Sequence, residues 1–140
     1  MNFDRPIVID TGVLVSAAIR PQSVPALALE RALLHYKVCM SQATFAELHH
    51  VVRRSKFDRY ASPETRQAFV EGLLRHLRML EVTLLVSECS DPKDDKFLAL
   101  ALALTVNAEM IVASDPRLTQ MHPWRGIPIL PPVAFLVGAR

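Results

Sequence analysis

The sequence predicts an α/β fold with three layers, α/β/α, around a mainly parallel sheet of roughly five strands. Short, continuous apolar runs recur along the chain, as in strands that are covered on both faces. Longer segments with helical periodicity alternate with these runs, which is typical of a parallel sheet. The chain has 140 residues, of which 51% are hydrophobic and 21% charged. This composition excludes a disordered chain and predicts a single domain, residues 1–140, with a sizeable core.

Each predicted strand is a short apolar run that ends at a polar residue, a proline or a turn. The first, Pro-Ile-Val-Ile, stops at Asp10-Thr11-Gly12, and the fourth stops at Ser114-Asp115-Pro116. Val, Ile, Met and Leu dominate all of them, as expected of buried strands. The predicted strands are residues 6–9, 37–40, 82–86, 110–113 and 127–130.

The predicted helices lie between these strands and begin at recognisable signals. Ser41 is placed as an N-cap residue, and prolines 25 and 63 stand in first turns, where they are tolerated. The segment that begins at Pro63 carries apolar residues on one side from Phe69 to Leu80, which predicts a long amphipathic helix. The predicted helical segments are residues 13–19, 23–35, 41–55 and 63–80, an apolar helix after residues 91–95, and a closing turn at 131–137.

Charge, cysteine content and hydropathy restrict the class of protein. The net charge of +2 is too small for a uniformly basic surface, so nucleic-acid contact would need local clustering. The two cysteines, Cys39 and Cys89, form no CxxC motif and no disulfide framework. The N-terminal residues do not have the pattern of a signal peptide, and no apolar run approaches the ~20 residues of a membrane span. We expect a cytoplasmic, soluble protein.

Acidic residues follow four of the predicted strands. Asp10 follows the first strand directly, Asp115 follows the fourth, and the acidic stretch 91–95 follows the third. Glu47 lies within the helix that follows the second strand. Ligands of open α/β sheets bind beyond the carboxyl ends of the strands, so these acids are expected to meet at one edge.

Helix capping is an alternative explanation for most of these acids. Asp10 and Asp115 both stand where an N-cap residue would, and for Asp115 alone capping is the simpler interpretation. In the acidic stretch, Asp91 fits an N-cap and Asp94 a capping-box position. Capping explains neither Asp95 nor Glu47. We therefore expect Asp95 to face a functional site, while Asp91 and Asp94 start the helix.

The predicted site consists of carboxylates, with the hydroxyls of Thr11 and Ser114 nearby. Such oxygen ligands suit Mg²⁺ or Mn²⁺, which serve phosphoryl chemistry. The sequence has no GxxxxGK[ST], GxGxxG or GxSxG motif, and its five histidines show no zinc-binding spacing. Arg53, Arg54 and Lys56 follow the Glu47 helix. They suit either a solvated helix end or contact with a phosphate backbone.

The chain resembles the PIN-domain nucleases, of the kind found as the toxin of bacterial toxin–antitoxin pairs (VapC-like). The resemblance covers nearly all of the chain and consists of five weak motifs in the order of the family. The motifs are Ile7-Val8-Ile9-Asp10-Thr11; Glu47-Leu48 with Arg54-Ser55-Lys56-Phe57; Asp91-Pro92-Lys93-Asp94-Asp95-Lys96-Phe97-Leu98; Ile111-Val112-Ala113-Ser114-Asp115; and Ile129-Leu130-Pro131-Pro132.

The resemblance implies a metal-dependent endoribonuclease that hydrolyses RNA phosphodiester bonds with one or two Mg²⁺ or Mn²⁺ ions. It implies that the metal-binding carboxylates are Asp10, Glu47, Asp95 and Asp115. Glu47 either completes the metal shell or orients the attacking water. Homodimers, or higher homo-oligomers, and inhibition by a small antitoxin are also implied. One departure is Gly12, which stands where many members of the family have asparagine.

The supporting positions and two alternatives complete the set of hypotheses. Thr11, Ser114 and Asp94 are expected to support the carboxylates, and Arg53, Arg54 and Lys56 to contact RNA. One alternative is a receiver-like module with a phospho-acceptor aspartate, which would need a second acid beside Asp10. The other is a catalytically idle relative that serves as a scaffold for a partner.

Overall fold

The computed structural model of the protein describes residues 5–103 and 107–138. Its centre is a five-stranded sheet in the order β3-β2-β1-β4-β5, and every neighbouring pair is parallel. Helices cover both faces, so the predicted three-layer α/β/α class is confirmed. The strands are β1 (Pro6–Ile9), β2 (Lys37–Ser41), β3 (Arg78–Leu80), β4 (Met110–Val112) and β5 (Ile129–Leu130).

The helices begin at side-chain caps that the sequence supplies. Ser23, Ser41 and Ser62 each accept a hydrogen bond from a backbone N–H of the first turn, which satisfies a donor that the helix leaves free. The helices are α1 (Thr11–Ile19), α2 (Val24–His35), α3 (Gln42–Val52), α4 (Pro63–Leu74), α5 (Asp95–Leu102), α6 (Pro116–Thr119) and α7 (Pro132–Gly138).

Two cores lie on opposite faces of the sheet. In β1, Ile7 and Ile9 pack into a core with α1, α2, α3, α4 and α7, whereas Val8 packs with α5 and α6 on the other face. This is the two-residue alternation of a strand. Because both faces are apolar and covered, β1 appears in the sequence as a continuous apolar run.

The third strand lies at residues 78–80 and not at 82–86, as the sequence had predicted. The helix that was predicted to reach Leu80 ends at Leu74, and β3 then pairs with β2 from Cys39↔Arg78 to Ser41↔Leu80. Ser41 is also the N-cap of α3, so β2 leaves the sheet there and offers no partner beyond Leu80. Residues 82–86 are therefore irregular, and Leu85 is 99% exposed.

The remaining boundaries agree with prediction to within a few residues. α3 ends at Val52, three residues earlier than predicted, and a short 3₁₀ turn follows at Ser55–Phe57. Within the described ranges, no single helix is long and apolar enough to cross a membrane. α1 and α2 together have the length and composition of a membrane span, but the chain bends by 108° between them.

A candidate metal centre at the carboxyl ends of the strands

Acidic side chains from three helix starts and from the middle of α3 line one pocket of about 310 Å³ at the carboxyl ends of β1 and β4. The parallel pairing of β1 with β4 places the exits of these two strands side by side. The residues that line the pocket are Asp10, Thr11, Gly12, Glu47, Val51, Asp91, Lys93, Asp94, Phe97, Ser114 and Asp115.

Asp10 is buried and is held by three backbone N–H groups. Its Oδ1 accepts from Val13 at 2.9 Å, which caps α1, and its Oδ2 accepts from Ser114 at 2.9 Å and Asp115 at 3.3 Å. Burial raises the pKa of this carboxyl to about 6, the backbone hydrogen bonds oppose the rise, and the charge of Asp115 adds to it. Asp10 therefore fixes the start of α1 against the chain that leaves β4.

Asp91, Asp94 and Asp115 form a close group of carboxylates in the described part of the chain. One oxygen of each lies within 4.8 Å of the other two. Asp94 is only 8% exposed, and its Oδ2 is buried without a hydrogen-bond partner. Burial raises the pKa of Asp94 to about 7, and the nearby carboxylates of Asp115, Asp91 and Asp10 add to the shift.

A divalent cation fits this group. An unpaired, buried carboxylate oxygen is costly, and carboxylates this close repel one another. An ion with oxygen ligands would satisfy Asp94 Oδ2 and remove the repulsion in one step. The donor set contains no sulfur or imidazole, which favours Mg²⁺ or Mn²⁺ over zinc.

Glu47 enters the pocket from α3 and is engaged on both oxygens. Its Oε1 accepts a hydrogen bond from the hydroxyl of Thr11, and its Oε2 forms an ion pair of 2.7 Å with Lys96 Nζ. Thr11, which was predicted to support the carboxylates, thus contacts Glu47 directly. Lys96 was missed as a site residue by the sequence analysis, although it lies in the acidic motif itself.

Asp95 does not face the pocket, contrary to prediction. Its Oδ1 accepts hydrogen bonds from the backbone N–H groups of Glu88, at 3.0 Å, and Cys89, at 2.8 Å. The reason is a 3₁₀ turn at Pro92–Asp94, which precedes α5 and changes the helical phase. Asp94, and not Asp95, is therefore directed at the other carboxylates.

Ser114 and Gly12 meet at the floor of the pocket. The backbone N–H of Ser114 donates to Asp10, and its hydroxyl oxygen occupies the space that a Cβ on residue 12 would need. Gly12 and Ser114 are thus packed closely enough that residue 12 has no room for a side chain while Ser114 keeps this position. A side chain at position 12 would require Ser114 to move.

The three predicted RNA-contacting residues lie outside the pocket lining. Arg53, Arg54 and Lys56 are exposed and follow one another at the C-terminal end of α3. Arg53 Nη1 lies 3.3 Å from His49 Nε2, and the ammonium group of Lys56 lies over the ring of Phe57. The same helix carries Glu47 and Val51 into the pocket, so α3 connects the acidic pocket to a basic surface.

Comparison with known proteins agrees with this architecture. Residues 6–117 match the family model of the PIN domain, a range that includes every acidic residue of the pocket. No curated protein sequence matches the chain. A similar solved structure is the crystal structure of VapBC2 from Rickettsia felis bound to a DNA fragment from their promoter. The TM-score is 0.59 at 13% identity, over 89% of this chain and 96% of that one, so the likeness concerns the fold. Because the family model spans most of its length, the chain belongs to the PIN domain family.

Proposed function

We propose that the protein is a metal-dependent endoribonuclease that hydrolyses RNA phosphodiester bonds. The observation that carries the proposal is the buried, unpartnered Oδ2 of Asp94 beside Asp91 and Asp115. In a pocket open to solvent at a sheet edge, such an oxygen is best explained as a ligand for a cation. Membership in the PIN domain family supports the same chemistry.

In this proposal the carboxylates of the pocket have different roles. Asp91, Asp94 and Asp115 hold Mg²⁺ or Mn²⁺, and Asp10 fixes the backbone that carries Asp115. A divalent ion there would stabilise charge on the phosphate and activate a water molecule. Glu47 lies at the wall formed by α3, where a lone pair on each oxygen remains free to orient water.

The alternative functions are less well supported by the pocket. A receiver-like module would need an accessible acceptor aspartate, but Asp10 is buried and both of its oxygens accept backbone hydrogen bonds. An idle scaffold would gain nothing from an unpaired carboxylate in its interior. Neither alternative accounts for Asp94.

A protein partner is also part of the proposal. The fold resembles that of VapBC2 of Rickettsia felis, which supports the role of the toxin in a toxin–antitoxin pair. An apolar groove of about 710 Å³ lies between α1, α2 and α4, and Leu34 and Val137 are more than half exposed. These surfaces suit a small antitoxin or the second chain of a homodimer.

Cleavage of RNA is the direct test. We expect the purified protein to cut a labelled RNA in the presence of Mn²⁺ and to stop when a chelator is added. Asp115→Asn should abolish this cleavage, because it removes one carboxylate oxygen from the group Asp91, Asp94 and Asp115 that is proposed to bind the metal. Glu30→Gln makes the same kind of change at an exposed position of α2 and should leave cleavage intact. Chelator-resistant cleavage, or full activity of Asp115→Asn, would contradict the proposal.

The basic surface makes a separate prediction for binding without cleavage. In chelator, the double variant Arg54→Gln/Lys56→Gln should bind single-stranded RNA more weakly. The slope of log K against log salt should fall by about 1.4, since each phosphate contact on single strands contributes about 0.7. Fluorescence anisotropy over a salt series measures this slope. Arg75→Gln/Arg78→Gln removes two exposed charges at another surface and should leave the slope unchanged. An equal effect of both double variants would exclude a specific basic contact surface.

A further inference from the structure

Lys96 brings a positive charge to the Glu47 wall of the pocket. Its ammonium group lies 2.7 Å from Glu47 Oε2, and both side chains are largely shielded, at 21% and 24% exposure. The ion pair joins α5 to α3 next to the pocket. We propose that Lys96 acts as a built-in cation at Glu47, so that the chain binds one divalent ion, at Asp91, Asp94 and Asp115, and not two. This inference rests on the proposed function.

The position of Lys96 is fixed by more than its ion pair. Nζ also donates to the backbone carbonyl of Lys93, and it lies 5.6 Å from the centre of the buried Phe97 ring. A lysine side chain on a surface is normally mobile, but this one has three partners in one place. The ammonium group is therefore held in place beside Glu47, although Lys96 itself lines a neighbouring cavity.

The carboxylates separate into two sets of unequal charge compensation. Asp91, Asp94 and Asp115 bring their oxygens within 4.8 Å of one another, and the buried Oδ2 of Asp94 has no partner. Glu47 is outside that group, and each of its oxygens already has a donor, from Thr11 and from Lys96. In the first set, Arg117 forms an ion pair of 2.8 Å with Asp91 Oδ2, whereas no ion pair reaches Asp94 or Asp115 from the described residues. The place for a divalent ion is therefore at Asp94 and Asp115, beside Asp91.

A second divalent ion at Glu47 would have to displace the ammonium group or sit beside it. Like charges at contact distance in a partly desolvated site repel strongly. Lys96 is thus a positioning residue: it holds Glu47 in a fixed orientation and occupies the place of a second metal. The aspartate group remains the only acceptor of a divalent ion among the described pocket residues.

Metal stoichiometry distinguishes this role from that of an ordinary structural ion pair. Mn²⁺ is titrated into the metal-free protein, and the number of bound ions per chain is read by calorimetry and by electron paramagnetic resonance of free Mn²⁺. We expect one ion per chain for the wild type and for Lys96→Arg, which retains the charge. Lys96→Gln should bind a second equivalent at Glu47. Lys93→Gln removes an equal charge from an exposed residue of the same pocket and should still bind one.

The outcomes separate the inference from the function on which it rests. Two ions per wild-type chain, or one ion in Lys96→Gln, would overturn the role of Lys96 while leaving a metal-dependent nuclease in place. A second equivalent in Lys93→Gln would show that general charge, and not Lys96, sets the number. No binding by the wild type would overturn both. Melting curves recorded with each variant confirm that the protein is folded, and Lys96→Met provides a second uncharged replacement if Lys96→Gln is unstable.

Discussion

Replacement of Asp94 by asparagine is expected to abolish tight Mn²⁺ binding and to lower RNA cleavage by about two orders of magnitude or more. The change removes the negative charge of the buried oxygen that has no partner in the metal-free protein. It also removes the charge that opposes Asp115 and Asp91, so the metal-free variant should be more stable than the wild type near neutral pH. Calorimetry with Mn²⁺, thermal melting and a cleavage assay measure the three effects.

The neighbouring residue provides the matched control. Asp95→Asn keeps one oxygen for the N–H groups of Glu88 and Cys89 but loses the charge that strengthens both hydrogen bonds. A loss of about 1 kcal/mol in stability is expected, together with nearly normal metal affinity. If Asp95→Asn lost the metal and Asp94→Asn retained it, the orientation of the acidic stretch described above would be wrong.

A fall in the stability of the metal-free protein between about pH 4 and pH 7 is the second large effect. The pKa of Asp94 is raised from 3.8 to about 7, and that of Asp10 to about 6. A carboxyl whose folded-state pKa is raised is held in its neutral form by the fold. Its contribution is therefore fully present below the unfolded pKa and is lost as the pH rises through the folded value.

The size of this effect is isolated by comparing two proteins. The difference in stability between Asp94→Asn and wild type should grow in favour of the variant by on the order of 2 kcal/mol from pH 4 to pH 8. One pKa unit corresponds to about 1.4 kcal/mol, and the coupled carboxylates share the shift. Urea unfolding in chelator at several pH values measures the difference. A constant difference, or one that favours the wild type at pH 8, would contradict the burial of an ionisable Asp94.

Mn²⁺ should reverse the sign of this pH dependence. Ligand carboxylates must be deprotonated to bind, so the stabilisation by metal increases as the pH rises.

Much of the fold followed from local sequence. The side chains of β1 are apolar on both faces of the sheet because helices cover both faces. The four residues of β1 therefore form a continuous apolar run, which is recognisable in the sequence. Two acids of the site could be identified because they stand out as polar residues just after short apolar strands: Asp10 after β1 and Asp115 after β4. Glu47 could be identified because it lies in the helix that follows β2 and has no capping role. Asp10, Glu47 and Asp115 all line the pocket that the topology creates.

The parts that could not be predicted depend on tertiary pairing. Residues 82–86 have the composition of a strand, but β2 leaves the sheet at Ser41, so the pairing ends at Leu80. The sequence contains no glycine or proline between Leu74 and Arg78 that would end α4. In the acidic stretch, one 3₁₀ turn decides whether Asp94 or Asp95 enters the pocket, and capping patterns alone do not distinguish a 3₁₀ from an α-helical first turn.

Because Asp10 accepts three backbone hydrogen bonds, a loss of activity in a variant at this position has two possible causes, lost chemistry and a damaged fold. Its carboxylate joins the start of α1 to the chain after β4, about a hundred residues away in sequence. An asparagine there would turn an NH₂ donor toward the amide N–H groups of Val13 or of Ser114, so damage to the architecture would accompany any loss of chemistry. An Asp10 knockout is thus an ambiguous negative control. Asp94 and Asp115, which serve the pocket at positions less tied to the sheet, are the sites at which function can be removed while the scaffold remains.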